Sequence, residues 1–165
     1  MLEHFVQYFH SVPRELLTLF ISMIPIFELR GAIPWALANP PIGGGLDWQT
    51  AFIFAYIGNF IPVIPLLLFL NPVTNFLRRF TIFDRFFDWL FKRTRRKGKL
   101  IEKYEIIGLI LYVGIPLPGT GAWTGSLAAY LFGIKFKNSL FSISVGIVLA
   151  GIIVTLASLG VISIF

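Results

Sequence analysis

Long runs of hydrophobic residues dominate the chain, and most of the charged residues collect between them. Four such stretches cover residues 14–38, 48–71, 106–133 and 139–165. Each approaches the roughly 20 residues with which an α-helix crosses a hydrocarbon core ~30 Å thick. Because a helix satisfies its own backbone hydrogen bonds, the pattern predicts an all-α membrane protein.

Two of the stretches, 48–71 and 139–165, predict ordinary transmembrane helices. The first contains Pro62 and Pro65, and we expect a kink there because an interior proline removes a backbone hydrogen bond. The second has no charged residue, and its small residues would allow another helix to approach closely. These small residues include Gly146, Gly151 and Gly160.

The other two stretches, 14–38 and 106–133, are interrupted by proline and glycine. Pro25 and Pro34 lie in the first. The second contains Pro116, Pro118, Gly119, Gly121 and Gly125. An interior proline costs a helix about 3 kcal/mol and a glycine about 1 kcal/mol, so neither stretch should be one continuous helix. We predict two half-length helices around a loop in each, rising about 15 Å and reaching the bilayer midplane.

The distribution of basic residues favours re-entrant hairpins over broken full spans. Ten of the fourteen Lys and Arg lie between Arg78 and Lys103, so the linker 72–103 is expected to be cytoplasmic. Lys135 and Lys137 stay on that side if the second hairpin turns back. The predicted fold is therefore two inverted repeats, each a re-entrant helical hairpin followed by a transmembrane helix. A full span with a broken centre is the alternative.

The linker is predicted to form a basic amphipathic helix at the membrane interface. Apolar residues recur in it at three- and four-residue spacing, with charged residues on the far side. The apolar face comprises Phe76, Phe80, Phe83, Phe87 and Leu90, and the charged face Arg78, Arg85, Asp88 and Lys92. Its basic residues would contact anionic headgroups. Nucleic-acid binding is not expected, because no base-stacking module accompanies the basic run.

Composition supports membrane insertion and argues against an enzyme. Of 165 residues, 56% are hydrophobic and 13% charged, whereas a soluble domain is about 25% charged. The chain has no cysteine, and its two histidines, His4 and His10, lie near the N-terminus. We find no metal-ligand cluster, deep carboxylate pair or activated serine, so we predict no enzymatic activity, metal or cofactor. No cleavable signal peptide is expected.

Glu28 and Arg30, beside Gly31, are the charged residues that lie deepest in an apolar stretch. A charge in a membrane helix costs at least ~2.5–3.5 kcal/mol, so each needs a partner or water. One interpretation is a structural ion pair at the hairpin tip. Another is a substrate or ion site, in which Arg30 holds an anionic group and Glu28 carries a proton. A third is that the segment lies outside the membrane.

The second hairpin offers a candidate site without charged residues, and a half-helix is expected to start there near Ala122. Its candidate substrate-binding residues are Pro118, Gly119, Thr120, Gly121, Trp123 and Thr124. Free backbone N–H groups at a helix start attract anions, and threonine hydroxyls add donors. Trp123 either covers the site or packs in the core. Asn59, a polar residue of the second stretch, is expected to bond a hairpin tip.

Two segments of the chain resemble the small multi-drug export protein family. They are Glu28–Pro34 (ELRGAIP) and Pro116–Gly125 (PLPGTGAWTG), and the resemblance covers nearly the whole chain. That family is distantly similar to the DedA, or SNARE-associated (VTT), membrane proteins. Those proteins have facing re-entrant hairpins and are associated with moving lipids, including polyprenyl phosphates. The resemblance implies a transporter.

Residues and resemblance together predict a multi-pass secondary transporter of the plasma membrane. Its expected substrate is small or lipid-like and anionic, and Glu28 would couple the transport to protons. The expected partners are membrane lipids with anionic headgroups and a second copy of the chain, since one protomer can hardly enclose both hairpins. The alternatives are an exporter of cationic drugs and a structural membrane protein or assembly factor without transport activity.

Overall fold

The protein is all-helical in the part that the structure describes, a computed structural model covering residues 12–162 except 78, 80, 98 and 118. Eight helices and no strand occur among these residues. The helices are α1 (Arg14–Met23), α2 (Glu28–Leu37), α3 (Trp48–Phe60), α4 (Val63–Leu77), α5 (Thr81–Lys97), α6 (Lys99–Gly114), α7 (Ala122–Leu131) and α8 (Phe136–Ile162). The all-α prediction is confirmed.

Two described segments are long and apolar enough to cross a membrane. Trp48–Leu70 comprises α3 and the first half of α4, and Phe136–Gly160 forms most of α8. The first segment is interrupted at residues 61–62, between the end of α3 and the start of α4. The kink expected at Pro62 is thus confirmed. Pro65 lies in the first turn of α4, where a proline costs no helical hydrogen bond.

The stretch 14–38 forms two ten-residue helices, α1 and α2, which pack against each other. The break lies at residues 24–27, around Pro25, whereas Glu28, Arg30 and Gly31, which were expected at the tip between the two prolines, lie in the first turn of α2. Pro34 does not extend this break, because it lies inside α2. Its neighbours Ile33 and Ala36 are fully buried, so tertiary packing offsets the lost hydrogen bond. Re-entrance of the hairpin into the bilayer stays a prediction.

The stretch 106–133 also forms two helices around a break. The backbone is non-helical at Tyr104 and Glu105 of α6, so the apolar part of this helix starts directly after them. α7 then begins at Ala122, where a half-helix was expected. α6 and α7 pack together, which gives the second predicted hairpin its two helices. Its re-entrance and the inverted repeat likewise stay predictions.

The chain divides into two compact units. The first contains the residues up to Asn59 together with those from Gly151 onward, and the second is Phe60–Ala150. The N-terminal hairpin therefore belongs to the first unit. The basic linker and the C-terminal hairpin belong to the second, and the candidate residues are accordingly described unit by unit.

In the first unit, α1 packs closely against α3. Gly58 lies so near the Leu19 carbonyl that a Cβ at this position would overlap it. One turn along, the hydroxyl of Ser22 donates to the Ala55 carbonyl at 2.5 Å. Since residue 58 faces 19 and residue 55 faces 22, the two helices run antiparallel. The fully buried side chains around them include Leu29, Ala32, Ile33, Ala36 and Ala51.

In the second unit, α7 packs against α4, α5 and α6. Small residues bring the helices together: a Cβ on Gly125 would lie 2.5 Å from Cγ2 of Val113, and one on Gly146 would lie 2.6 Å from Cβ of Val113. In the first unit, a Cβ on Gly151 would overlap the ring of Phe52 in the same way. Gly160 differs, because a Cβ there would have no described atom within 4 Å. Close packing by the α8 glycines is thus confirmed at Gly146 and Gly151.

The linker 72–103 is divided among three helices, the end of α4, the whole of α5 and the start of α6. α4 continues through Leu77, so Phe76 belongs to it, and α5 starts at Thr81. The basic side chains of α5 that are described are exposed, and the Arg93 guanidinium lies 5.4 Å from the ring centre of Trp89. Outside the described part lie Arg78, Phe80, His4 and His10, and the side chains of Phe83, Phe87 and Leu90.

Candidate functional site

The N-terminal hairpin turns tightly, and backbone hydrogen bonds close the turn. The N–H groups of Phe27 and Glu28 donate to the Ile24 carbonyl at 3.1 and 2.8 Å. Glu28 then begins α2 with a φ of 47°, a left-handed conformation that residues with a side chain rarely adopt. Such a conformation costs about 1–2 kcal/mol, and it persists where the surrounding structure enforces it.

The side chain of Glu28 is 6% exposed although it carries a carboxylate in an apolar hairpin. Its charge interacts with the half-buried guanidinium of Arg30. On a regular helix, residues two apart point in different directions, and the left-handed backbone at Glu28 departs from that geometry. Gly31 packs beneath them, where a Cβ would lie 3.0 Å from Cβ of Phe27. The structure thus brings these predicted site residues together.

Asn59 belongs to the same unit and is 1% exposed. Its Oδ1 has no hydrogen-bond partner within the described residues. The antiparallel register of α1 and α3 carries Asn59 past Gly58, away from the turn at residues 24–27. Helix register decides which residues of α3 reach this turn, and Asn59 is not one of them; the expected bond from Asn59 to a hairpin tip stays a prediction.

The C-terminal tip is built from glycine conformations and one hydroxyl. Gly119 has a φ of 77° and Gly121 a φ of 151°, both in the region that favours glycine. The Thr120 hydroxyl lies 3.0 Å from the Ile115 carbonyl and 2.9 Å from the Leu117 carbonyl. Thr120 therefore stabilises the break itself. The substrate contact predicted for its hydroxyl would have to compete with these bonds.

The start of α7 lies where the sequence placed it, with Gly121 as its N-cap and no side-chain cap. The N–H of Gly125 donates to the Gly121 carbonyl at 2.7 Å, which closes the first turn. Pro118, the remaining predicted site residue of the loop, lies outside the described residues.

Thr124 has a partner that sequence reasoning missed. Its hydroxyl donates to the Gly121 carbonyl at 3.4 Å and lies within hydrogen-bonding reach of the phenol of Tyr112 on α6, which is 7% exposed. The charge of Arg93 on α5 also acts on this phenol. The sequence could have indicated this contact only by position, because Tyr112 is the last polar side chain before the break and Thr124 is an early hydroxyl after it.

Trp123 forms one wall of an apolar groove in the second unit, with a volume of about 410 Å³. The other wall is α4 and the turn before it, through Pro62, Pro65, Leu66, Phe69, Leu70 and Val73. Thr74 also lines the groove; it is 1% exposed, and its hydroxyl has no hydrogen-bond partner among the described residues. Trp123 itself is half-buried, which favours its role as a cover over its role in the core.

Residues 28–153 match the family described as small multi-drug export proteins. The match begins at Glu28, at the start of α2, and includes the C-terminal hairpin tip and the groove-lining helix α4. The chain belongs to the small multi-drug export protein family. The resemblance found in the sequence is thereby confirmed. Neither a curated protein nor a solved structure matches the chain.

As a small multi-drug export protein with two apolar segments of spanning length, the chain is a membrane protein. The first unit holds a buried acid beside a base, and the second holds hydroxyls beside an apolar groove. Within the described residues, no three His, Asp or Glu side chains are grouped as metal ligands.

Proposed function

We propose that this small multi-drug export protein is a secondary transporter that moves a small or lipid-like anionic substrate and uses Glu28 as a proton carrier. The observation that carries the proposal is the buried Glu28 carboxylate at the break of an apolar hairpin, where it interacts with Arg30. Charges at membrane depth are costly and mark ion and substrate pathways. Family membership supports transport as the activity.

Competition for Arg30 is the proposed coupling step. When Glu28 is protonated, the guanidinium of Arg30 loses its counter-charge and can hold an anionic group of the substrate. When Glu28 releases its proton, the carboxylate displaces that group. Substrate and proton thus favour the same state of the site, which is the condition for coupled movement. Helices broken within the membrane are where transporters commonly place such sites.

The backbone at Glu28 supports a role beyond packing. A glycine would adopt a φ of 47° without steric cost, yet this position carries a glutamate. Strained conformations cluster at functional sites, because there the side chain is needed in one direction. The left-handed backbone at Glu28 departs from a regular helix, in which residues two apart face different ways, and the Glu28 charge acts on Arg30.

An exporter of cationic drugs is the second candidate, and two observations favour it. The family description names drug export. A buried carboxylate at Glu28 and an accessible indole at Trp123 are groups that bind organic cations. In this case Glu28 would bind the drug directly, and Arg30 would hold the carboxylate until the drug arrives.

Transport in proteoliposomes tests the proposal, with a pH-sensitive dye inside the vesicles and two separate substrates. Fluorescent phosphatidylglycerol represents the anionic amphiphiles, and ethidium represents the cationic drugs. We expect the wild type to move the anionic lipid together with protons. Glu28→Gln should abolish proton movement, and Arg30→Ala should abolish movement of the anion. Glu15→Gln, in the first turn of α1, is the matched control and should retain both.

Full transport by both Glu28→Gln and Arg30→Ala would contradict the proposal. Proton-coupled export of ethidium without movement of the anionic lipid would select the second candidate. Folded protein that moves neither substrate under any pH gradient would leave the structural role as the better account.

A further inference from the structure

The groove beside Trp123 follows one continuous face of α4. The residues that line it recur every three to four positions along the chain, which is the spacing of a single helical stripe. Phe69 and Val73 are 59% and 47% exposed, so the groove is open along its length. A soluble protein would cover such a stripe with its own chain, whereas a membrane protein can leave it to lipid.

The length of the groove matches one leaflet of a bilayer. From Val63 to Thr74, α4 rises about 16 Å, which is close to half of a ~30 Å hydrocarbon core. The candidate membrane-spanning segment ends at Leu70, one turn before Thr74. With this segment across a bilayer, the Pro62 end of the groove would lie at hydrocarbon depth and the Thr74 end near the polar interface.

Among the described residues that line the groove, the polar side chains are Thr74 and the indole of Trp123. The Thr74 hydroxyl is buried and has no hydrogen-bond partner within the described chain. Burying a hydroxyl without a partner is unfavourable, and the cost is removed if a ligand oxygen accepts from it. An amphiphile with its polar group at Thr74 and its chain toward Pro62 would do this once the Thr74 side chain rotates its covered hydroxyl toward the groove.

The charge of the adjoining segment selects an anion over a cation. Arg79 lies just after α4 and is exposed, with its guanidinium 6.0 Å from the ring centre of Phe76. The described basic residues of α5 are exposed as well. Basic side chains near the membrane surface each favour an anionic headgroup and oppose a cationic one.

From these observations we infer that the groove binds one hydrocarbon chain of an anionic membrane lipid, with the headgroup at Thr74 and the chain packed against Trp123. Trp123 then reports directly on occupancy. This assignment deepens the proposed function by placing the apolar part of the substrate, and in that respect it rests on the proposed function. Binding itself can be measured without any transport.

Quenching of Trp123 by brominated lipid chains tests the inference. A protein in which Trp35, Trp48 and Trp89 are replaced by Phe retains Trp123 as its single indole. In detergent micelles, phosphatidylglycerol with brominated chains should quench Trp123 saturably, and about fivefold more tightly than the same chains on phosphatidylcholine. Thr74→Val should weaken the anionic lipid about fivefold.

Two matched variants separate the groove from general lipid contact. Thr155 on α8 is 5% exposed, lacks a hydroxyl partner in the described chain and lies outside the groove, so Thr155→Val should leave quenching unchanged. Leu66→Phe fills the groove and should remove saturable quenching. Leu156→Phe, at a position that is 66% exposed on α8, should not.

The inference is overturned if quenching of Trp123 rises linearly with lipid, as expected for a protein that retains Trp48 alone. It is also overturned if Thr74→Val and Thr155→Val have equal effects, or if ethidium occupies the groove more tightly than the anionic lipid. Saturable quenching without transport by the same preparation would contradict the proposed function and leave the lipid site standing.

Discussion

The two helical hairpins differ in where they place polarity and strain. The N-terminal hairpin turns within a few residues and puts a glutamate at the left-handed position that starts α2. The C-terminal hairpin uses a longer break, gives its left-handed positions to Gly119 and Gly121, and holds the break with the Thr120 hydroxyl. One tip is charged and strained, and the other is neutral and relaxed.

The difference indicates a division of roles. Strain is tolerated where a carboxylate must be directed toward Arg30, whereas glycines lower the cost of a turn whose side chains are not needed. The charged tip holds the buried carboxylate and the guanidinium on which the proposed proton and anion exchange rests. The neutral tip leads into α7, which presents Trp123 to the groove and Thr124 to Tyr112. The comparison makes four predictions.

Removing the charge should affect transport far more than removing a hydroxyl. Glu28→Gln keeps the size of the side chain and should abolish proton-coupled transport. Thr124→Val breaks the bond to Tyr112, costs about 1 kcal/mol of stability and should leave transport largely intact. Initial rates in proteoliposomes at equal protein density measure both. Equal loss in the two variants would show that the tips do not differ in role.

Gly119→Ala should destabilise the C-terminal hairpin, because alanine at a φ of 77° costs about 1–2 kcal/mol. Gly160→Ala is the control, since a Cβ there meets no described atom within 4 Å and an alanine in a helix interior is favourable. Thermal unfolding in detergent should give a lower midpoint for the first variant alone. An unchanged midpoint for Gly119→Ala would mean that this tip is not held as described.

Thr120→Val should lower the free energy of unfolding by about 1 kcal/mol, because the carbonyls of Ile115 and Leu117 then lose the hydroxyl that donates to them. Thr120→Ser retains the hydroxyl and should recover most of the loss. The same thermal unfolding measurement applies. If serine fails to rescue, the methyl group of Thr120 contributes more than its hydroxyl.

The smallest effect concerns pH and the start of α3. Asp47 accepts hydrogen bonds from the backbone N–H of Thr50 at 2.9 Å and from its hydroxyl at 2.8 Å, and these lower the pKa of Asp47. Since the folded pKa lies below the unfolded value, the stabilisation is present above about pH 3.9 and is lost as the pH falls further.

The start of α7 has no equivalent of this cap, because Gly121 has no side chain. Between neutral pH and about pH 3, the free energy of unfolding of Asp47→Asn should therefore depend slightly less on pH than that of the wild type. Thr124→Val should leave the pH profile unchanged. An identical profile in wild type and Asp47→Asn would show that the cap contributes nothing measurable.

Several features of the fold could be predicted because they follow from local rules. Proline has no N–H, so the breaks at Pro25 and Pro62 were visible in the sequence. The start of α7 at Ala122 followed from the glycines before it. The apolar length of the spans followed from composition, since lipid accepts long helices without polar side chains.

Other features depended on which helices meet, and the sequence alone did not decide them. Pro34 stays inside α2 because its neighbours are buried against other residues. Asn59 lies away from the turn of the N-terminal hairpin because the close contact of Gly58 with Leu19 fixes the register of α3 on α1. The bond between Tyr112 and Thr124 requires α6 and α7 to pack with one particular rotation.

The chain by itself determined that it belongs in a membrane, that its helices break at Pro25 and Pro62, and that Glu28 and Arg30 lie within an apolar stretch, because hydropathy and backbone chemistry are local properties. Only the tertiary structure decided that Glu28 adopts a left-handed conformation, and that Trp123 and a stripe of α4 enclose a groove with Thr74 in its wall. Those facts depend on helix register and rotation, which are set by side-chain packing between distant segments.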